Sequence, residues 1–178
     1  MNHYRAERTL YARLMDSTTV IRAAVEPDVP RMARLHVASW RETYRGLMPD
    51  DVLDAPDFVE RRERFWTAVL SDPRYEDWRA VVAERDGELV GIGMAGPAME
   101  PEVDWTRQLF VLYAASSVHG SGVGSAVLEA VLDPDAVTGL WVADPNPRAQ
   151  AFYRKHGFDF DGVSKIEDGV TELRLVRR

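Results

Sequence analysis

The sequence predicts an α/β fold built on a mixed sheet, and three observations predict it. Residues 108–131, QLFVLYAASSVHGSGVGSAVLEAV, pass from an apolar strand through a glycine-rich turn into an apolar helix without a break. Residues 140–143 form a second apolar run, which a right-handed crossover through that helix lays parallel to the first strand. Two Asp-Gly dipeptides, Asp86-Gly87 and Asp168-Gly169, each separate a pair of strand-like runs and mark hairpins, so the remaining strands are expected to be antiparallel.

Taken in order, residues 1–16 form an extension, readable equally as a short helix or a tail, and residues 17–178 form the domain. Residues 18–25 alternate weakly and read as a first strand. Asp28 and Pro30 open a helix with Val29, Ala33, Val37 and Trp40 on one stripe, and Gly46 can stop it. Asp57 and Glu60 fit a capping box for a second helix, whose buried stripe is Phe58, Phe65, Trp66 and Val69 and which Pro73 ends. Residues 79–85 and 88–95 are the first hairpin. Residues 96–104, with Pro97 and Pro101, read as a loop leading to a central strand at 108–114. Asp133-Pro134 closes the helix after the glycine turn. Asn146 can cap a further helix, Pro147 suits its first position and Gly157 can end it. Residues 158–164 and 171–176 form the closing hairpin.

At 178 residues the chain is long enough for one domain with a substantial core. Cysteine is absent, which excludes disulfides and cysteine-ligated metals. Neither a signal peptide nor an apolar span of membrane length is present, so a cytoplasmic protein without a membrane partner is expected. The 22 basic residues against 29 carboxylates give a net charge of −7. That balance disfavours nucleic acid and suits a cationic acceptor such as an amine.

The glycine turn holds Gly120, Gly122 and Gly124 at alternate positions, where missing Cβ atoms let a ligand approach the backbone. The first N–H groups of the following helix, near Gly124, Ser125 and Ala126, lack intrahelical partners and sit at its positive end, which attracts phosphate. A P-loop needs a Gly-Lys-Ser/Thr ending, and no lysine lies near the turn. A dinucleotide fingerprint needs Gly-x-Gly-x-x-Gly early in the chain; the order here is Gly-x-Gly-x-Gly, and late.

What the turn resembles is the acetyl-CoA signature of the GNAT superfamily of N-acetyltransferases, Gln/Arg-x-x-Gly-x-Gly/Ala, with His119 standing where the family has Gln or Arg. A second motif agrees. Residues 146–158, NPRAQAFYRKHGF, match the family's Asn-x-x-Ala-x-x-Phe-Tyr-x-Lys-x-Gly-Phe at each named position. The resemblance extends over residues 18–176, outside the two motifs as pattern alone. It implies a central, mostly antiparallel sheet of about seven strands flanked by four helices, with a splay between the two parallel central strands. It implies acetyl-CoA as cosubstrate, no metal, and transfer of an acetyl group directly to an amine; a homodimer is among the assemblies open to it.

The resemblance also implies the site. The pantetheine arm would bond the backbone of Leu112, Tyr113 and Ala114, and the diphosphate would meet His119, Gly120, Ser121, Gly122, Val123, Gly124 and Ser125. Asn146 would bond the arm. Because that recognition uses backbone, Ala115-Ser116, where a proline is common, need not impair it. Tyr153 is the implied acid for the departing thiolate, since a phenol stays protonated at neutral pH. The helices that wall the acceptor site offer Trp40, Glu42 and Tyr44. Many relatives place a glutamate base at the start of the central strand; Gln108 stands there instead, and an amide does not take up the proton. Glu102, Asp104, Glu42 or a chain of waters could substitute. The acceptor, whether a small metabolite, an antibiotic or a protein amine, is left open, and a catalytically silent CoA-binding module is the competing class.

Overall fold

The computed structural model describes residues 19–178. The extension expected over residues 1–16 lies outside them. Seven strands form one sheet in the order β1-β2-β3-β4-β5-β7-β6. They are β1 (Thr19–Ala23), β2 (Arg79–Arg85), β3 (Glu88–Pro97), β4 (Arg107–Ala114), β5 (Thr138–Asp144), β6 (Asp159–Glu167) and β7 (Val170–Arg177). Every pairing is antiparallel except β4 with β5. The helices are α1 (Val29–Tyr44), the one-turn α2 (Asp50–Leu53), α3 (Phe58–Ser71), α4 (Val123–Val131) and α5 (Pro147–Lys155). The four long helices match the expected number, and α2 is additional.

Both hairpins form where the Asp-Gly pairs place them. Asp86 and Gly87 have φ of 52° and 80°, and Asp168 and Gly169 have 50° and 80°, the doubly positive pattern that a two-residue turn needs to match strand twist. The closing hairpin does not simply extend the sheet: its second strand, β7, inserts beside β5 and leaves β6 at the edge.

Two helix starts differ from the sequence reading. Asp57 has φ −93° and ψ 6°, not the extended conformation of a capping aspartate, and makes no cap bond. Its carboxylate accepts from Arg61 at 2.7 Å and Glu60 accepts from Arg64 at 2.6 Å, so arginines one turn on take both groups of the expected capping box. Asp28 likewise caps nothing at α1. Its buried carboxylate accepts from both Arg22 terminal nitrogens at 2.6 and 2.8 Å, from Arg31 at 2.8 Å and from the Val25 N–H at 3.1 Å. Those donors, above all Arg22, outweigh burial and hold the acid below its ordinary range.

α1 and α3 cover one face of the sheet, where Met32, Ala33, Trp66, Ile92, Met94 and Val111 meet. α4 covers the other, with Val127, Leu128 and Val131 against Leu140, Phe158 and Leu175. β3 runs two residues beyond its expected end, pairing Gly96 with Gln108 and Pro97 with Arg107. The register passes from Met94↔Val111 to Ala95↔Leu109, which leaves Phe110 as an extra residue in β4. That bulge decides the site: β4 pairs with β5 only from Arg107 to Leu109 and parts from it thereafter.

Candidate active site

The parting of β4 and β5 opens a cleft of about 700 Å³ that runs from the glycine turn to α1 and the β6–β7 hairpin. Along the ladder with β3, the Ala115 N–H donates to the Val90 carbonyl. Alternation then turns Tyr113's backbone groups toward β3 and those of Leu112 and Ala114 toward the opening. Of the three residues expected to bond a ligand arm through backbone, Tyr113 differs from the other two: its ladder position directs N–H and C=O to Ile92, while its side chain lines the cleft.

At the turn, Gly120 and Gly122 have φ of 77° and 89°, left-handed conformations that require glycine. α4 begins at Val123, and Ala126 already donates its N–H to the Gly122 carbonyl at 3.0 Å. The free helical N–H groups are thus those of Val123, Gly124 and Ser125, one residue earlier than expected. Gly120, Gly122, Gly124 and Ser125 line the cleft, but the side chains of Ser121 and Val123 do not. The Ser121 hydroxyl donates to the Val118 carbonyl at 2.7 Å, and Val123 is fully buried in the core, so only the backbone of Val123 remains for a ligand.

His119 does not stand alone at the turn. Its Nε2 bonds the Ala114 carbonyl at 3.0 Å, and Arg148 Nη1, from the first turn of α5, donates to Nδ1 at 2.7 Å. A guanidinium thereby reaches the turn from another element. Asn146 Oδ1 accepts from the Ala149 N–H at 3.1 Å, capping α5, and the residue also lines the cleft.

Tyr44, Tyr113 and Tyr153 bring three phenols to the middle of the cleft. Burial pushes all three acids upward. Tyr44 adds to the rise of Tyr113 and Tyr153, and Glu172 to that of Tyr44. All three are protonated at neutral pH and can donate. Trp40 lies 5.0 Å from the Tyr44 ring and 5.0 Å from the Arg62 guanidinium, and its buried indole is directed at the Tyr113 hydroxyl.

Of the carboxylates considered as a base, Glu102 and Asp104 are not brought to the cleft; both sit in the exposed loop before β4, and Asp104 pairs with Arg178 at 2.6 Å. Glu42 lines the cleft but lies near the turn, accepting from the Ser116 hydroxyl at 3.2 Å. Gln108 lines it, 8 % exposed, with its side-chain oxygen unpartnered among the described residues. The carboxylate that sequence reasoning missed is Glu172 on β7, half-buried beside Tyr44 and pushed upward by burial against the pull of Lys165. Period-two alternation with Leu173 and Leu175 already put Glu172 and Arg174 on the face opposite the core. Only the insertion of β7 beside β5 turns that face toward the cleft instead of open solvent.

The family model described as Acetyltransferase (GNAT) family matches residues 29–158, which include the glycine turn and the Asn146 helix. The chain belongs to the GNAT acetyltransferase family. Its sequence is 30 % identical over 147 residues to a protein named a probable N-acetyltransferase of Mycobacterium tuberculosis, covering 80 % of each chain. It is 35 % identical over 147 residues to an uncharacterized N-acetyltransferase of the same organism, covering 79 % of each. An acetyltransferase of Thermus thermophilus shares the GNAT fold with a TM-score of 0.64 and 26 % identity, over 90 % of this chain and 96 % of that one. The PaiA N-acetyltransferase of Thermoplasma acidophilum, solved in complex with coenzyme A, shares the fold with a TM-score of 0.67 at 18 % identity, over 88 % and 98 %. The splayed parallel pair, the turn and the helix carrying Tyr153 are thus this chain's version of a GNAT scaffold.

Proposed function

We infer that the protein transfers an acetyl group from acetyl-CoA directly to a primary amine, and that the CoA arm enters where β4 parts from β5. The observation that carries this is the coincidence, in one cleft, of an unpaired strand edge, a phosphate-attracting turn and a protonated phenol. The chain's residues fit such a cosubstrate. Leu112 and the Ala114 N–H offer the edge hydrogen bonds, while the N–H groups of the turn and Arg148 suit a diphosphate. Gly124 is helical, and a Cβ there would meet only the Phe152 ring, at 3.5 Å. The fold therefore leaves space at that position, and the space suits a ligand.

Bound acetyl-CoA would supply an activated acetyl thioester, so that forming the C–N bond to the amine breaks the C–S bond. Tyr153 would give its phenolic proton to the departing sulfur and regain one from water, while the attacking amine releases its proton to solvent. Tyr44 and Trp40 border the side from which the amine approaches.

The reading is tested by incubating the protein with acetyl-CoA and a panel of amine classes, following free thiol, alongside calorimetric titration with CoA. CoA binding with thiol release on at least one amine class is the expected result. Binding without release on any of them would make the chain a silent CoA-binding module, and absence of CoA binding would overturn the site.

A further inference from the structure

The acceptor end of the cleft is built from β5, β6 and β7. Trp141 presents its ring to the cleft with its indole N–H held by Glu100 at 2.5 Å. Arg174 braces it from the side, 5.8 Å from the Trp141 centroid and 4.9 Å from that of Trp105, with Asp161 at 2.8 Å. Lys165 places its ammonium 4.5 Å from the Trp141 centroid, pairs with Glu167 and lies 3.4 Å from Glu172. An aromatic face with two carboxylates is the chemistry that recognises an ammonium ion. Here the chain's own ammonium holds the position.

Two features make Lys165 a removable occupant. Its side chain is 37 % exposed on the edge strand β6, at the end of a flexible stem, and exposed ion pairs of this kind are weak. Glu167 and Glu172 both pair with it, so exchanging it for a ligand ammonium keeps the local charge balance. A separate observation points to a ligand. Gln108, more than nine-tenths buried on the same cleft, has a side-chain oxygen with no partner among the described residues, an acceptor that an N–H donor entering the cleft would satisfy.

We propose that Trp141, Glu167 and Glu172 form an ammonium subsite which Lys165 fills in the free protein, and that the acceptor is an aliphatic di- or polyamine. One ammonium displaces Lys165 and anchors the chain, and the far amine, uncharged, reaches the phenols. This rests on the acetyl-transfer reading for the reaction, but the subsite itself stands on binding.

The test pairs diaminobutane with butylamine, which differ only in the second amine. Calorimetry should show the diamine binding at least about tenfold more tightly than the monoamine, and kcat/KM should follow the same order. Glu172→Gln should abolish most of that preference while leaving CoA affinity at the parental value, which reports an intact fold. Lys165→Met should strengthen diamine binding several-fold by removing the competitor. Equal binding of the two amines, or a preference that survives Glu172→Gln, would overturn the subsite. Diamine-selective binding lost in Glu172→Gln without any acetyl transfer would keep the subsite and fail the reaction. Recovery of Lys165 acetylated after incubation with acetyl-CoA would overturn the proposal by making that ammonium the acceptor.

Discussion

Arg148 donates from Nη1 to Nδ1 of His119 at 2.7 Å, while Nε2 of the same ring lies 3.0 Å from the Ala114 carbonyl. A guanidinium only donates and a carbonyl only accepts, so these partners fit the tautomer in which Nε2 donates and Nδ1 accepts. His119 is a bridge that ties the end of β4 to the first turn of α5. The cation at the glycine turn comes from α5, although the motif position in the turn is occupied by histidine. Arg148→Ala should weaken CoA binding about tenfold at low salt and less at high salt, as expected of a partly screened phosphate contact. His119→Ala, which keeps the guanidinium, should cost less. Parental CoA affinity in Arg148→Ala at low salt would remove the arginine from the site.

Gly124 gives a cleaner probe of the turn than its neighbours. Replacing Gly120 or Gly122 strains a backbone at φ 77° or 89°, which confounds folding with binding. Gly124→Ala adds a methyl in ordinary contact with Phe152 and replaces a poor helix former with the best one. Thermal unfolding should be unchanged or slightly raised, while CoA affinity falls, by about 1–3 kcal/mol if the methyl overpacks the ligand. A variant that binds CoA as the parent does would show that the ligand passes elsewhere.

Tyr153 is 9 % exposed and its acid is pushed upward by burial and by Tyr44. Its hydroxyl therefore holds a proton throughout the neutral range. Tyr153→Phe removes only that hydroxyl and should lower turnover about 10²- to 10⁴-fold with little change in CoA affinity. A packing role would reverse the pattern, lowering the melting temperature and sparing turnover per folded molecule. Both are measured on the best acceptor found.

His36 sits at the centre of α1, 2 % exposed, with the rings of Trp40, Phe65, Trp66 and Tyr113 as neighbours and with Nδ1 unpartnered among the described residues. Burial, with the Arg62 cation adding, pushes it down to about 3. The unfolded chain, near 6.5, then binds the proton more readily than the folded one. Stability from this group is complete above about pH 6.5 and is lost as pH falls toward the folded value, at roughly 1.4 kcal/mol per pH unit within that window. Urea unfolding of the parent and of His36→Leu between pH 7 and pH 4 should show the variant gaining on the parent as pH falls. Parallel curves would mean that the ring is not buried uncharged. Asp28, also held low, contributes its own loss only at more acidic pH and is common to both proteins.

The glycine-turn end of the cleft was legible because it is local. The turn at Gly120 and Gly122, the start of α4 and the Asn146 cap are each made by neighbours in the chain, whose backbone conformations depend on residue type within a few positions. The capping box at Asp57 failed for an equally local reason, since Arg61 and Arg64 compete for both carboxylates. The bulge at Phe110 carries no signal of its own, because an extra residue in β4 is defined only by what β3 pairs with it.

By itself, the sequence determined the two hairpin turns, the Asn146 cap, the glycine turn and the placement of Tyr153 on a helix after the second parallel strand. Each follows from backbone preference and short-range periodicity. Tertiary structure decided the end of the cleft beside the β6–β7 hairpin. Trp141, Lys165 and Glu172 lie on three strands and line one cleft with Tyr44 only because β7 inserts between β5 and β6 and its polar face becomes a cleft wall. Arg148 reaches His119 across 29 residues for the same kind of reason: a side chain's partners are set by which elements pack together, and strand order leaves no trace in the alternation of any one strand.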